Sequence, residues 1–96
     1  MTELERRVVA VLRALHSGEV VSYGDVAADA GFPGRARAVG HLLASGAHDV
    51  PWWRVVTGTG RLVPGNERDH AARLRAEGVL VRRGRVVRSP SGRFVA

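Results

Sequence analysis

The sequence predicts a mainly α domain with small β elements, arranged as a winged helix-turn-helix. Three observations carry that expectation. An amino-terminal segment shows helical apolar spacing behind a capping box, two short helical segments are separated by the breaker Phe32-Pro33-Gly34, and the carboxy-terminal part consists of short β-rich runs divided by turns. Ninety-six residues suffice for one small core, and the absence of a linker, repeat or low-complexity tract makes the chain, 1–96, read as a single domain.

Thr2 and Glu5 form the capping box, and Leu4, Val8, Val11, Leu12 and Leu15 recur at helical spacing, predicting a first helix from about residue 3 to 16, stopped near Gly18. Glu19-Val20-Val21 leads into Ser22, which with Asp25 caps a short second helix carrying Tyr23, Val26, Ala27 and Ala30 on its inner side and ending at Gly31. A third helix is expected from about Gly34 to Ser45, with Ala38, Val39, Leu42 and Leu43 apolar and Gly46 at its end. Ala47 to Pro51 reads as a loop, Arg54 to Thr57 as a brief strand, and Gly58-Thr59-Gly60 as a turn. Asn66, with Asp69 at the matching position, is the expected N-cap of a helix that ends at Gly78. Val79-Leu80-Val81, Arg85-Val86-Val87 and Phe94-Val95 are β-rich runs broken by Arg82-Arg83-Gly84 and Ser89-Pro90-Ser91-Gly92, which fits a small hairpin or wing.

Fifteen basic residues, all arginine, stand against nine acidic ones, giving a formal net charge of +6. That imbalance points to a polyanionic partner, with nucleic acid ahead of an anionic membrane surface because no long amphipathic basic helix or lipidation motif is present. The chain has no cysteine, which excludes disulfides, thiolate metal sites and cysteine nucleophiles. No signal-peptide pattern and no apolar run of membrane-spanning length occur, so a cytoplasmic protein, nucleoid-associated if bacterial, is expected. His16, His41, His48 and His70 lack metal-ligand spacing and read as surface or capping residues. No phosphate-cradling glycine loop or nucleophile elbow is found, and no cofactor or metal is expected.

Three stretches, Val21-Ser22-Tyr23-Gly24-Asp25-Val26-Ala27, Arg35-Ala36-Arg37-Ala38-Val39-Gly40 and Pro51-Trp52-Trp53-Arg54-Val55-Val56, together resemble the DNA-binding domain of O6-alkylguanine-DNA alkyltransferases. The likeness is to the cysteine-free branch, the alkyltransferase-like proteins, and runs from about Val8 to about Val81. In the active enzymes the third motif reads Pro-Cys-His-Arg, and the cysteine accepts the alkyl group as a thiolate. Here Trp52 takes the cysteine position and Trp53 the histidine position, so the resemblance implies a protein that recognises the lesion without repairing it. An indole has no group that could serve as the thiolate does. Most alkyltransferase-like proteins keep the histidine; this chain departs from that pattern.

The resemblance implies the remaining roles. Arg37 matches an arginine finger that fills the gap left by an extruded nucleotide, with Arg35, Ala38 and Gly40 beside it on a helix that approaches DNA closely. Tyr23 matches a tyrosine that crowds the phosphate and contacts the flipped base, and Leu43 an apolar residue against that base. Trp52 would wall the pocket beside Trp53, and the backbone carbonyls of Trp52 and Val55 match those that accept hydrogen bonds from guanine. Arg54 and Glu77 support the site, and Glu77, having lost its histidine partner, is expected to accept a hydrogen bond from an indole N–H, that of Trp53. Without the resemblance, Trp52 and Trp53 read as core aromatics, of which an extended backbone would bury at most one fully. In related alkyltransferase-like proteins an arginine beyond the strand helps to cover the lesion; this chain is shorter between Arg61 and Asn66, so the resemblance leaves open whether Arg61 or Arg68 takes that role, and both also read as solvated or phosphate-facing.

The expected partner is double-stranded DNA carrying alkylated guanine, with handover to nucleotide excision repair proteins, no membrane and a monomeric state. Two rival readings are a sequence-specific winged helix-turn-helix transcription regulator that reads the major groove, and a residual enzyme with a different nucleophile.

Overall fold

A computed structural model describes residues 1–95; Ala96, the last residue of the expected domain, lies outside the described residues. Helix α1 spans Glu3–Ala14, strand β1 Glu19–Ser22, helix α2 Tyr23–Asp29 and helix α3 Ala36–Ser45. A 3₁₀ turn at Trp52–Arg54 enters strand β2, Val55–Val56, and is followed by helix α4, Glu67–Ala76, and strands β3 Leu80–Arg82, β4 Arg85–Arg88 and β5 Ser91–Gly92. The expected helices, the helix-turn-helix and the hairpin are all present.

Both capping boxes form: Thr2 with Glu5 opens α1, and Ser22 with Asp25 opens α2. The ends differ from expectation in instructive ways. Helix α1 stops at Ala14 because Leu15 turns extended, with ψ 136°. Helix α3 starts at Ala36 rather than Gly34, which has φ +85° and cannot belong to a right-handed helix. Asn66 makes no side-chain capping bond; Glu67 and Asp69 in the first turn of α4 supply the negative charge that its N-terminus favours.

Patterning assigns Glu19–Val21 no element of its own, yet β1 is the central strand of a parallel three-stranded sheet ordered β2-β1-β5. Val21 pairs with Val55 and Ser22 with Val56. Side chains alternate across a strand, so Val21 and Val55 enter one core with Val8, Leu12, Val26 and Val39, while Val20 and Val56 enter a second with Leu62, Leu74, Val81 and Val86. A strand covered on both faces reads as an unbroken apolar pair, with no polar alternation to reveal it. Each of the fully buried valines among them, Val8, Val20, Val26, Val39, Val55 and Val56, contributes about 1.5–3 kcal/mol.

The expected strand at Phe94-Val95 is not formed. The preceding Ser91-Gly92 pairs with β1 instead, and a Cβ at Gly92, where φ is +90°, would lie 2.3 Å from the Val20 carbonyl oxygen. Only glycine allows that approach. The β3–β4 hairpin is antiparallel, with Val81 opposite Val86, and Arg75 of α4 donates to the Val81 carbonyl at 2.8 Å.

Candidate functional site

A cavity of about 320 Å³ opens where α2, α3, the 3₁₀ turn and the loop before α4 meet, lined by Tyr23, Gly40, Leu43, Ala44, Trp52 and Asn66 among others. Tyr23 stands first in α2, immediately after its Ser22 cap, and Gly40, Leu43 and Ala44 fall on one stripe of α3 through the i, i+3, i+4 repeat. A Cβ at Gly40 would meet nothing within 4 Å, so this glycine leaves open space at the cavity wall. Burial pushes the Tyr23 hydroxyl pKa upward, keeping it a neutral donor.

The two tryptophans separate because Trp52–Arg54 is a 3₁₀ turn, where the sequence reading placed extended backbone ahead of a strand from Arg54. Their rings stand edge to face, with centroids 6.0 Å apart and planes at 90°. Neither is fully interior. Trp52 lines the cavity and Trp53 turns away from it toward Glu77, which corrects the expectation that both face the pocket. Val55 is not a lining residue either: the whole residue is buried, its side chain in the first core, which corrects the expectation that its carbonyl faces the pocket.

Glu77 accepts from the Trp53 indole Nε1–H at 2.8 Å, as the sequence reading expects, and from much else. The Arg54 guanidinium meets it at 2.8 Å and the Gly18 backbone N–H at 2.8 Å, while Arg54 also donates to the Leu15 carbonyl. Burial opposes the Glu77 charge, but the bonds from Arg54, Gly18 and Trp53 outweigh it and hold the carboxyl below the ordinary glutamate range. One carboxylate thus ties the 3₁₀ turn to the end of α4 and to the loop between α1 and β1.

His70 is the residue that sequence reasoning misplaced. It is fully buried, not a surface or capping group. Its Nδ1 accepts from the Val63 N–H at 3.1 Å and its Nε2 faces the Trp53 carbonyl at 2.8 Å, so the neutral ring protonated on Nε2 satisfies both partners. Burial lowers its pKa, partly offset by the Trp53 carbonyl and by Asp69. The ring also packs against Trp52, centroids 5.1 Å apart. The helical spacing of His70, Ala71 and Leu74 was the available signal for an inward face. Arg73, held by Asp69, stands over both indoles at 5.3 and 5.1 Å and backs the cavity wall.

Arg37 is exposed on the second position of α3, outside the cavity, and lines a separate groove with Arg35 and Ala38. Neither Arg35 nor Arg37 takes part in an ion pair among the described residues. Among those residues there is also no cluster of three His, Cys, Asp or Glu that could hold a metal, and no helix long and apolar enough to cross a membrane.

Residues 3–79 match the family model described as 6-O-methylguanine DNA methyltransferase, DNA binding domain. A DNA base-flipping protein of Vibrio parahaemolyticus is 35% identical over 79 residues, covering 78% of this chain and 79% of that protein. A methylated-DNA–protein-cysteine methyltransferase of Salmonella typhimurium is 41% identical over 86 residues, 83% of this chain but 49% of the enzyme, so the chain spans about half of that enzyme's length. Among solved structures, S. pombe Atl1 in complex with damaged DNA containing O6-carboxymethylguanine superposes with a TM-score of 0.76 at 30% identity, covering 85% of this chain and 82% of that one.

Proposed function

The chain belongs to the 6-O-methylguanine DNA methyltransferase DNA-binding-domain family, and from that premise we propose that it is a non-catalytic reader of alkylated guanine in duplex DNA. The observation that carries this reading is Trp52: it lines the cavity at the motif position where the active enzymes carry their acceptor cysteine, in a chain that contains no cysteine. Alkyl transfer needs a strong nucleophile at that spot, and an indole has neither an ionisable group near neutral pH nor a lone pair fit for the step.

In this reading α3 lies against the duplex, with Arg35, Ala38 and Gly40 at the backbone, and Arg37 occupies the gap left by the extruded nucleotide. Flipping a base forfeits about a few kcal/mol of stacking and pairing, and a planar cation over neighbouring bases recovers part of it. Tyr23 crowds the phosphate of the flipped nucleotide. The cavity, whose 320 Å³ falls at the lower end of small-ligand sites, takes the base between Leu43 and Trp52, whose apolar surface suits an alkyl group. The backbone carbonyl of Trp52 is the acceptor assigned to guanine, since Val55 is wholly buried, while Trp53, Arg54 and Glu77 hold the wall from behind. Because the lesion is bound and left intact, the complex would serve as a flag for nucleotide excision repair proteins, formed by a monomer in the cytoplasm or nucleoid.

Binding to duplexes of several sequences, with and without O6-methylguanine, tests the reading directly. A preference for the lesion across sequences is expected, and a preference for one sequence regardless of damage would replace this account with the regulator. Protein mass after incubation with alkylated DNA should stay unchanged; a stoichiometric gain of the alkyl group would overturn the non-catalytic assignment. Arg37→Ala should weaken lesion binding on the order of tenfold while altering binding to undamaged DNA much less, because phosphate contacts elsewhere set the latter.

A further inference from the structure

Four of the fifteen arginines converge at one place that is not part of α3 or of the cavity lining. Arg61, Arg82, Arg83 and Arg85 surround a cleft of about 350 Å³ whose remaining lining residue is Gly84. Backbone pairing puts them there: Arg82 lies opposite Arg85 in the β3–β4 hairpin, and Arg85 also pairs with Arg61 across an antiparallel bridge. The Leu62 N–H to Gly84 carbonyl bond and the Val86 N–H to Gly60 carbonyl bond, 3.2 and 2.8 Å, fix the hairpin to the 60–62 segment. Like charges directly opposite one another on neighbouring strands are destabilising, and none of these four takes part in an ion pair among the described residues.

A second observation concerns the hairpin tip. Arg83 and Gly84 have φ of +53° and +72°, the positive pair that marks a type I′ turn. Glycine or asparagine takes such a position readily, whereas a long side chain is held there against its preference. The chain thus tolerates both a charge conflict and a backbone conflict to keep arginine at this spot, and an anionic ligand would relieve the first.

We propose that Arg61, Arg82, Arg83 and Arg85 form a second phosphate-binding site that grips the duplex backbone beside the lesion cavity, whatever base lies in that cavity. Arg61 precedes the cavity residue Val63 by two positions, so their Cα atoms lie within about 7 Å and one duplex can reach both. The inference rests on the proposed function only for the identity of the polyanion as DNA.

The test uses the full chain and short duplexes with and without O6-methylguanine, titrated across a range of salt. Arg61→Gln/Arg82→Gln/Arg85→Gln should weaken both duplexes by the same factor, on the order of tenfold near 0.15 M salt, and reduce the slope of log K against log salt by about 0.9 for each phosphate no longer neutralised. Arg83→Asn should raise Tm and yet weaken binding, a pairing that a merely structural role would not produce. An unchanged salt slope in the triple variant overturns the proposal, as does a weakening confined to damaged DNA, which would make the cluster part of the cavity. Absence of lesion preference in the wild type would instead sink the functional reading while leaving this site standing.

Discussion

The two faces of the β1–β2 ladder are covered by halves of opposite character. On the first face, α1, α2 and α3 pack through apolar side chains, and their outer surface is open: Gly40 faces empty space, and Arg37 is exposed and, among the described residues, in no ion pair. On the second, α4 and the 3₁₀ turn are stitched by polar bonds, with Glu77 serving Trp53, Arg54 and Gly18, and His70 serving Trp53 and Val63. The difference teaches a division of labour. One half leaves groups open that can change at little structural expense, while the other packs behind Trp52.

The sharpest way to break the comparison is Glu77→Ala, which strands a guanidinium whose side chain is only 15% exposed together with two N–H donors. A loss of about 3–5 kcal/mol in urea unfolding is expected; a loss below about 1 kcal/mol would show that the polar network does not hold this half. Gly40→Leu should act in the opposite sense. Leucine is a better helix former by roughly 0.5–1 kcal/mol and its Cβ meets nothing, so stability should hold or rise, whereas lesion affinity should fall as the side chain fills the cavity. Unfolding measured beside lesion binding checks both signs, and destabilisation by Gly40→Leu would mean that the first half is not free to vary. The smallest effect expected is a pH dependence from His70. Its folded pKa lies below the ordinary value of 6.5, so between the two the unfolded chain binds the extra proton. Stability should therefore decline as pH falls through about 6.5 and level off below the folded pKa. His70→Gln should flatten that window; a slope that persists in the variant would assign it to another group.

Much of the first half was legible because its signals are local. Thr2 with Glu5 and Ser22 with Asp25 lie three residues apart, and the apolar stripe of α1 repeats within a turn. The motif Pro51-Trp52-Trp53-Arg54 also marked the candidate wall, and the expected bond between Glu77 and an indole is there at 2.8 Å. What escaped is long-range or locally silent. Nothing in Glu19-Val20-Val21 distinguishes a doubly covered strand, the polar ring of His70 masks the inward spacing it shares with Ala71 and Leu74, and Asn66 carries the signature of a side-chain cap that the fold does not use.

The sequence alone excludes thiolate chemistry among these residues, since none is cysteine, and it located the helices to within a few residues, because their periods and the capping boxes of α1 and α2 are local. The tertiary structure decided which tryptophan faces the cavity, which histidine is interior and which arginines converge. Those outcomes hang on contacts such as Gly18 with Glu77, 59 residues apart, and on parallel strand pairing. Such contacts are set by how whole elements pack together, and no local repeat encodes that.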